Sequence, residues 1–214
     1  MNRKLLLLGG GGHCKSVLDS LLKTGSYKEI AIVDKKENIG KTILDIPIIG
    51  CDDDLSDLCQ QGFTDAFITL GSIGDPAVRV RLFATLERLD VNIPNIVDVT
   101  AIVSDDANLA SGVYVGKNAV INAGSIIGKG VIINTSSTIE HDCIIKDFVH
   151  IASGAVLCGE VYIGNHTHIG AKSVVKQQVK IGSNSLIGMG SVVLQDINSR
   201  MIAYGNPCKE VKRL

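Results

Sequence analysis

The stretch VINAGSIIGKGVIINTSSTIEHDCIIKDFVHIASGAVL, Val120 to Leu157, repeats with a period of six. Ile121, Ile127, Ile133, Ile139, Ile145, Ile151 and Leu157 are all large aliphatics. The series runs on without an insertion, back to Val97 and forward to Val193. Four residues after each aliphatic stands a small or modest side chain, among them Ser125, Val131, Ser137, Cys143, Val149 and Ala155. Glycine often follows the aliphatic directly, as at Gly116, Gly128, Gly164, Gly170, Gly182 and Gly188. Residues six apart fall on different faces of an α-helix, and plain strand alternation would not single out every third inward position. The pattern predicts a parallel β-helix. Each hexad supplies a short strand and a turn, three hexads close a triangular coil, and the aliphatics stack inside. Periodicity alone leaves the handedness open.

Residues 1–96 follow another rule. An apolar run, Lys4 to Leu8, meets Gly9 to Gly12, and His13 to Lys23 then carries Val17, Leu18, Leu21 and Leu22 at helical spacing. This reads as strand, glycine turn and helix. A second strand is expected at Ile30 to Asp34, a helix after an Asp cap near Asp52, a third strand at Ala66 to Leu70, and a last helix from Pro76 to about Leu89. The order βαβαβα predicts a small Rossmann-like α/β domain, residues 1–96, in front of the β-helix, residues 97–214. A ligand of the front domain belongs at the carboxyl ends of its strands. Gly9-x-Gly11 lacks the third glycine of the dinucleotide fingerprint, Cys14 standing there, so either a tight structural turn or a phosphate cradle fits. Asp34, at the end of the next strand, is placed to hold a ribose hydroxyl.

Composition narrows the function. The chain has 214 residues, 45% hydrophobic and 20% charged, and 4% aromatic with no Trp, so β-branched side chains fill its core. A formal net charge of -1 gives no basic footprint for nucleic acid or anionic lipid, and neither is expected as a partner. Leu5 to Leu8 is too short to span a membrane. The six cysteines stand singly, with no C-x-x-C pair, which argues against a zinc knuckle and for a reducing cytoplasm.

The repeat also tells where histidines point. His141 follows Ile139 by two and belongs to an exposed turn. With 18 residues to a coil, its neighbours above and below are Ala123 and Gly159, both small, which leaves room around the imidazole. Glu140 and Asp142 flank it, and either carboxylate would fix its tautomer and raise its basicity. His141 is therefore the candidate general base. His150 and His168 are also 18 apart and should stack at roughly the 4.8 Å spacing of adjacent strands. A metal is one use of such a column, but no two histidines lie five apart as in the γ-class carbonic anhydrases. No metal is expected, and His150 is taken instead as a substrate or cofactor contact. His13, beside the helix N-terminus, is a candidate substrate contact.

The hexad array, NTSSTIEHDC at Asn134 to Cys143, FVH at Phe148 to His150 and YGNPCK at Tyr204 to Lys209 resemble the bacterial sugar acetyltransferases of the sialic acid O-acetyltransferase and UDP-N-acetylbacillosamine N-acetyltransferase type. GGGGH and Asp34 in front extend the resemblance over nearly the whole chain. It implies a left-handed β-helix, a homotrimer with active sites between subunits, and acetyl-CoA as donor. It implies His141 as base with Asp142 raising its basicity. Gly11, Gly12, His13, Asp34, Lys35 and Gly71 would hold a nucleotide-sugar, with Asn134 and Glu140 as further substrate contacts. His150, Ala171 and Met189 would contact acetyl-CoA, the last two through backbone groups alone. In the implied reaction His141 takes a proton from the acceptor as it attacks the thioester, and a backbone or His150 donor stabilises the oxyanion. The front loop, and Lys35 in place of a second acid, depart from the usual pattern and bear on which sugar accepts. A 4-amino-6-deoxy sugar linked to UDP is the first expectation, with sialic acid the alternative. Two rivals differ in class. A nicotinamide-linked reductase would bind NAD in the front domain, and a non-catalytic trimeric scaffold would be indifferent to His141→Ala.

Overall fold

The computed structural model describes residues 3–214, which fall into two compact units. One comprises the residues up to Gly71 together with Ala77–Ile96, the other Ser72–Pro76 with Val97–Leu214.

In the first unit β1 (Lys4–Leu8) leads through the glycine turn into α1 (Gly12–Leu22), then β2 (Glu29–Val33), β3 (Thr42–Ile43), β4 (Ile46–Gly50), α2 (Leu55–Gln60), β5 (Asp65–Ile68) and α3 (Ala77–Arg88). The sheet order is β3-β4-β2-β1-β5, parallel throughout except where β3 pairs antiparallel with β4. Leu5, Leu6, Leu7 and Leu8 are fully buried, which is why β1 reads as an unbroken apolar run. From β1 the chain winds to one side, and from β4 it returns past β1 to β5. With right-handed crossovers this reversal puts α1 and α2 on opposite faces and opens a crevice between the ends of β1 and β5.

Three expectations change. The sheet has five strands, not three, because residues 42–50 form a hairpin whose turn residues, Leu44 and Asp45, both take positive φ (46° and 64°). Asp45 lies in the turn, and Pro47 pairs with Thr42 in the short edge hairpin. The helix near Asp52 begins as a 3-10 turn, Asp52–Asp54, with the Asp54 carboxylate accepting the Cys51 N–H at 2.8 Å. The third strand stops at Ile68, since Thr69 turns to bond the glycine loop.

The second unit is a left-handed parallel β-helix. Its first face stacks Ile96–Val97, Tyr114–Val115, Ile132–Ile133, His150–Ile151, His168–Ile169 and Leu186–Ile187. A C-terminal hairpin, Met201–Gly205 with Cys208–Arg213, extends that face. The second face runs from Ile102–Val103 to Val192–Val193 and includes Thr138–Ile139, and the third runs from Asn108–Leu109 to Lys180–Ile181. Partners in neighbouring coils are 18 residues apart, as in Val120↔Thr138. The aliphatics Ile121, Ile139, Ile151, Leu157, Ile163 and Ile169 are fully buried, and so are the small Ser125, Ser137 and Ser173. Glycine after the aliphatic answers to crowding: a Cβ on Gly164 would stand 2.6 Å from Ser183 N, and on Gly170 2.5 Å from Met189 N. The left-handed backbone falls two residues later, at Asn118, Ser136, Asp142, Phe148, His166 and Lys172.

Candidate active site

His141 sits in the turn after Thr138–Ile139, exposed to solvent. Its Nδ1 meets Asp142 Oδ2 at 2.8 Å. Two cleared columns allow this. A Cβ on Gly159, one coil along, would collide with His141 Nε2, and a Cβ on Gly124, one coil back, would collide with Asp142 Oδ1. The carboxylate oxygen can only accept, so the neutral ring carries its proton on Nδ1 and turns a basic Nε2 outward over Gly159. The hydrogen bond to Asp142, then the charges of Asp142, Glu160 and Glu140, raise the His141 pKa above its ordinary value. Of the two flanking acids, Asp142 is the one that orients the imidazole. The Glu140 carboxylate instead accepts from Asn122 Nδ2 at 2.9 Å.

The residues expected at the cofactor lie along the first face and the turns after it. His150 is buried, its ring 4.8 Å centroid to centroid from that of His168, edge to face. His150 Nδ1 lies 2.8 Å from the Ser72 carbonyl and its Nε2 3.4 Å from Asn134 Nδ2. Asn134 Oδ1 accepts the Thr135 N–H at 2.8 Å, so the NH₂ end of that amide faces the imidazole. Ala171 and Met189 stack one coil apart in the same turn column. The Ala171 carbonyl takes the Gly190 N–H at 2.8 Å, and the Met189 side chain is 81% exposed.

In the first unit the crevice assembles most of the expected nucleotide contacts. Gly11 caps α1 without a side-chain bond, the first turn holds no acidic residue, and a Cβ on Gly11 or Gly12 would meet nothing within 4 Å. The helix therefore presents uncapped N–H groups and the positive end of its dipole to open space, suited to an anion. Thr69 Oγ1 donates to the Gly9 carbonyl at 2.6 Å and ties the loop after β5 to the glycine turn. Gly71 approaches His13 closely enough that a Cβ added to the glycine would stand 3.7 Å from the histidine's own. Asp34 lies across Gly10, and its Oδ2 accepts from Asn38 Nδ2 at 3.0 Å. Lys35 is exposed at the start of the following 3-10 turn. Burial and the nearby Arg79 charge push His13 down to about 4, so its ring is neutral near pH 7.

Sequence reasoning missed several participants. Arg79 on α3 is 4% exposed, and burial lowers it to about 10. Nothing in a helix of alternating Val and Arg marks which arginine is enclosed. Gly124 was legible, since it stands 18 residues before Asp142 just as Gly159 stands 18 after His141. The Ser72 carbonyl was not, because a main-chain acceptor leaves no trace in residue type. Among the described residues no group of three or more His, Cys, Asp or Glu could hold a metal ion, and no helix is long and apolar enough to cross a membrane.

Residues 4–86 match the PglD N-terminal domain, and residues 160–195 match the bacterial transferase hexapeptide repeats. The acetyltransferase domain of PglB from Neisseria gonorrhoeae FA1090, solved with acetyl coenzyme A, is 34% identical, with 99% of this chain and 100% of that chain covered and a TM-score of 0.92. A variant of perosamine N-acetyltransferase from Caulobacter crescentus, solved with CoA and GDP-perosamine, is 31% identical over 98% of this chain and 97% of that chain, TM-score 0.92. WeeI from Acinetobacter baumannii AYE shares the fold at 22% identity, TM-score 0.87, over 98% of this chain and 100% of that chain. The chain thus belongs to the hexapeptide-repeat sugar acetyltransferases that carry a PglD-type N-terminal domain.

Proposed function

We propose that the protein transfers an acetyl group from acetyl-CoA to the amine of a nucleotide-linked 4-amino-6-deoxy sugar, with His141 as general base. The observation that carries this is the His141–Asp142 pair at 2.8 Å, with Nε2 facing the space that Gly159 leaves open. In the proposed step the acceptor ammonium first gives up one proton to solvent, Nε2 takes another as the neutral amine attacks the thioester carbonyl, and the backbone beside Nε2 offers an N–H to the oxyanion. Collapse of that intermediate forms the amide, and the His141 imidazolium returns its proton to the departing sulfur, so that CoA leaves as its thiol. The donor follows from the relatives solved with CoA and acetyl-CoA, and the acceptor class from the GDP-perosamine complex.

Charge favours an amine over sialic acid. Asp142, Glu160 and Glu140 all raise the His141 pKa, so the surroundings are negative. Such a field draws an ammonium and repels the carboxylate of a sialic acid. The nucleotide would lie at the crevice of the first unit, its phosphates on the α1 N-terminus at Gly11 and Gly12, with His13 and Gly71 beside them and Asp34 and Lys35 at the ribose.

A homotrimer fits the β-helix. His141 stands in the turn after the second face, while Asn134, Ala171 and Met189 stand in turns after the first. These are opposite edges of one face, so base and cofactor residues would meet only between copies. The outward residues of that face, Ile102, Val120, Thr138, Val156, Val174 and Val192, are nearly all apolar, with Ile102 66% exposed. The reaction is assigned to the cytoplasm, where the six free cysteines stay reduced. The test is thiol release from acetyl-CoA with GDP-perosamine, with a UDP-linked 4-amino-6-deoxy sugar and with CMP-sialic acid. Release with an amino sugar alone supports the proposal, and release with the sialic acid alone refutes it.

A further inference from the structure

We infer that Cys143 is a positioning residue for acetyl transfer: from inside the coil its thiol holds the Cys158 carbonyl and so turns the Gly159 N–H outward beside His141. The inference rests on the proposed step, which needs a backbone N–H beside Nε2, and adds what keeps that N–H in place. Cys143 is fully buried, and its Sγ donates to the Cys158 carbonyl at 3.2 Å. The Val161 N–H bonds the same sulfur, so the hydrogen given to the carbonyl is the thiol's own. Burial pushes the thiol up to about 11, so it keeps that hydrogen near pH 7. A trans peptide sets its C=O and N–H in opposite directions, and a Cys158 carbonyl turned inward to the sulfur leaves the Gly159 N–H facing out. Among the described residues that N–H makes no hydrogen bond.

The column to which Cys143 belongs sets it apart. Ala107, Ser125, Cys143, Val161, Val179 and Ile197 take the same corner in successive coils. Ser125 and Cys143 alone among them have a side chain that can donate, and the carbonyls they hold are the two that adjoin the catalytic turn. Ser125 Oγ donates to the Glu140 carbonyl at 3.0 Å, one peptide before His141, and Cys143 serves the peptide before Gly159. One coil further on, behind the apolar Val161, the turn closes on itself, the Lys176 carbonyl taking the Val179 N–H at 3.4 Å. At Cys158 the matching N–H, that of Val161, goes to the sulfur instead, so the side chain spans the turn and sets its width. A hydroxyl makes the same two bonds elsewhere in the coil: Thr167 Oγ1 donates to the Gly182 carbonyl at 2.7 Å and accepts the Ser185 N–H at 3.2 Å.

Cys143→Val puts into this corner the side chain that Val161 and Val179 already carry there, and so keeps an apolar filling while removing the donor. In the full-length protein it should lower kcat about tenfold, short of the roughly 10²–10³ that outright loss of an oxyanion donor costs, with KM for acetyl-CoA and for the amino sugar within about twofold. Cys143→Ala, matching Ala107, should behave as the valine variant. Cys143→Ser, which can make the two bonds that Thr167 makes, should stay within about threefold of wild type. A crystal structure of Cys143→Val should show the turn closed as at Lys176, with the Cys158 carbonyl on the Val161 N–H and the Gly159 N–H turned from its direction in wild type. An unchanged kcat in the valine and alanine variants, an equal loss in the serine variant, or a 158–159 peptide that does not move overturns the inference. The peptide is read without turnover, so it stands apart from the fate of the acetyl-transfer reading, which fails only if wild type transfers no acetyl group.

Discussion

Substituting Gly159 by alanine tests the cleared column most sharply. The new methyl group would fall on His141 Nε2, 2.5 Å from Cε1 and 3.1 Å from Cδ2. Gly159 lies outside the positive-φ region, so alanine brings no backbone strain, and its own N–H is retained. The atom that must yield is the end of an exposed side chain, and stability should change by no more than about 0.5 kcal/mol. The imidazole, however, leaves Asp142 as it swings away. General-base catalysis is worth roughly 10² to 10⁴ in rate, so kcat should fall at least about 100-fold, near 2.7 kcal/mol of transition-state stabilisation. Thiol release at saturating acetyl-CoA reads the rate, and a melting curve reads the fold. Activity within about threefold of wild type at an unchanged melting temperature would refute the role of this histidine.

Other substitutions probe the remaining parts. Asp142→Asn removes the carboxylate charge and weakens the hydrogen bond, both of which raise the His141 pKa. Since the neutral imidazole is the active form, kcat/KM rises with pH through that pKa, and the variant should reach a lower plateau at lower pH; an unmoved limb in the pH profile would show that another group titrates. Gly10→Ala places a methyl 2.6 Å from Asp34 Oδ2 and should raise KM for the nucleotide-sugar about tenfold while KM for acetyl-CoA holds, as steady-state kinetics in each substrate would show. Ile151→Ala empties a fully buried site in the coil interior and should cost about 2 to 5 kcal/mol in chemical denaturation, with no change in the acceptor preferred.

The β-helix was legible in the sequence because its interior repeats. Residues such as Ile139 and Ser137 serve the same packing role in every coil, and column arithmetic then located His141, Gly159 and the His150–His168 stack. The hairpin at residues 42–50 was not legible, since its strands are too short to show a period and Leu44 and Asp45 take left-handed backbone without glycine. The pairing of Glu140 with Asn122, rather than with His141, depends on side-chain reach across one coil, which residue type does not encode. Arg79 stayed hidden for a related reason: a charged residue signals surface until packing encloses it.

The most direct test compares wild type with His141→Ala for CoA release in the presence of GDP-perosamine or a UDP-linked 4-amino-6-deoxy sugar, alongside a binding measurement for CoA. The account predicts amine-dependent release by wild type, and loss of release with CoA binding retained in the variant. Release that survives without the imidazole would contradict it.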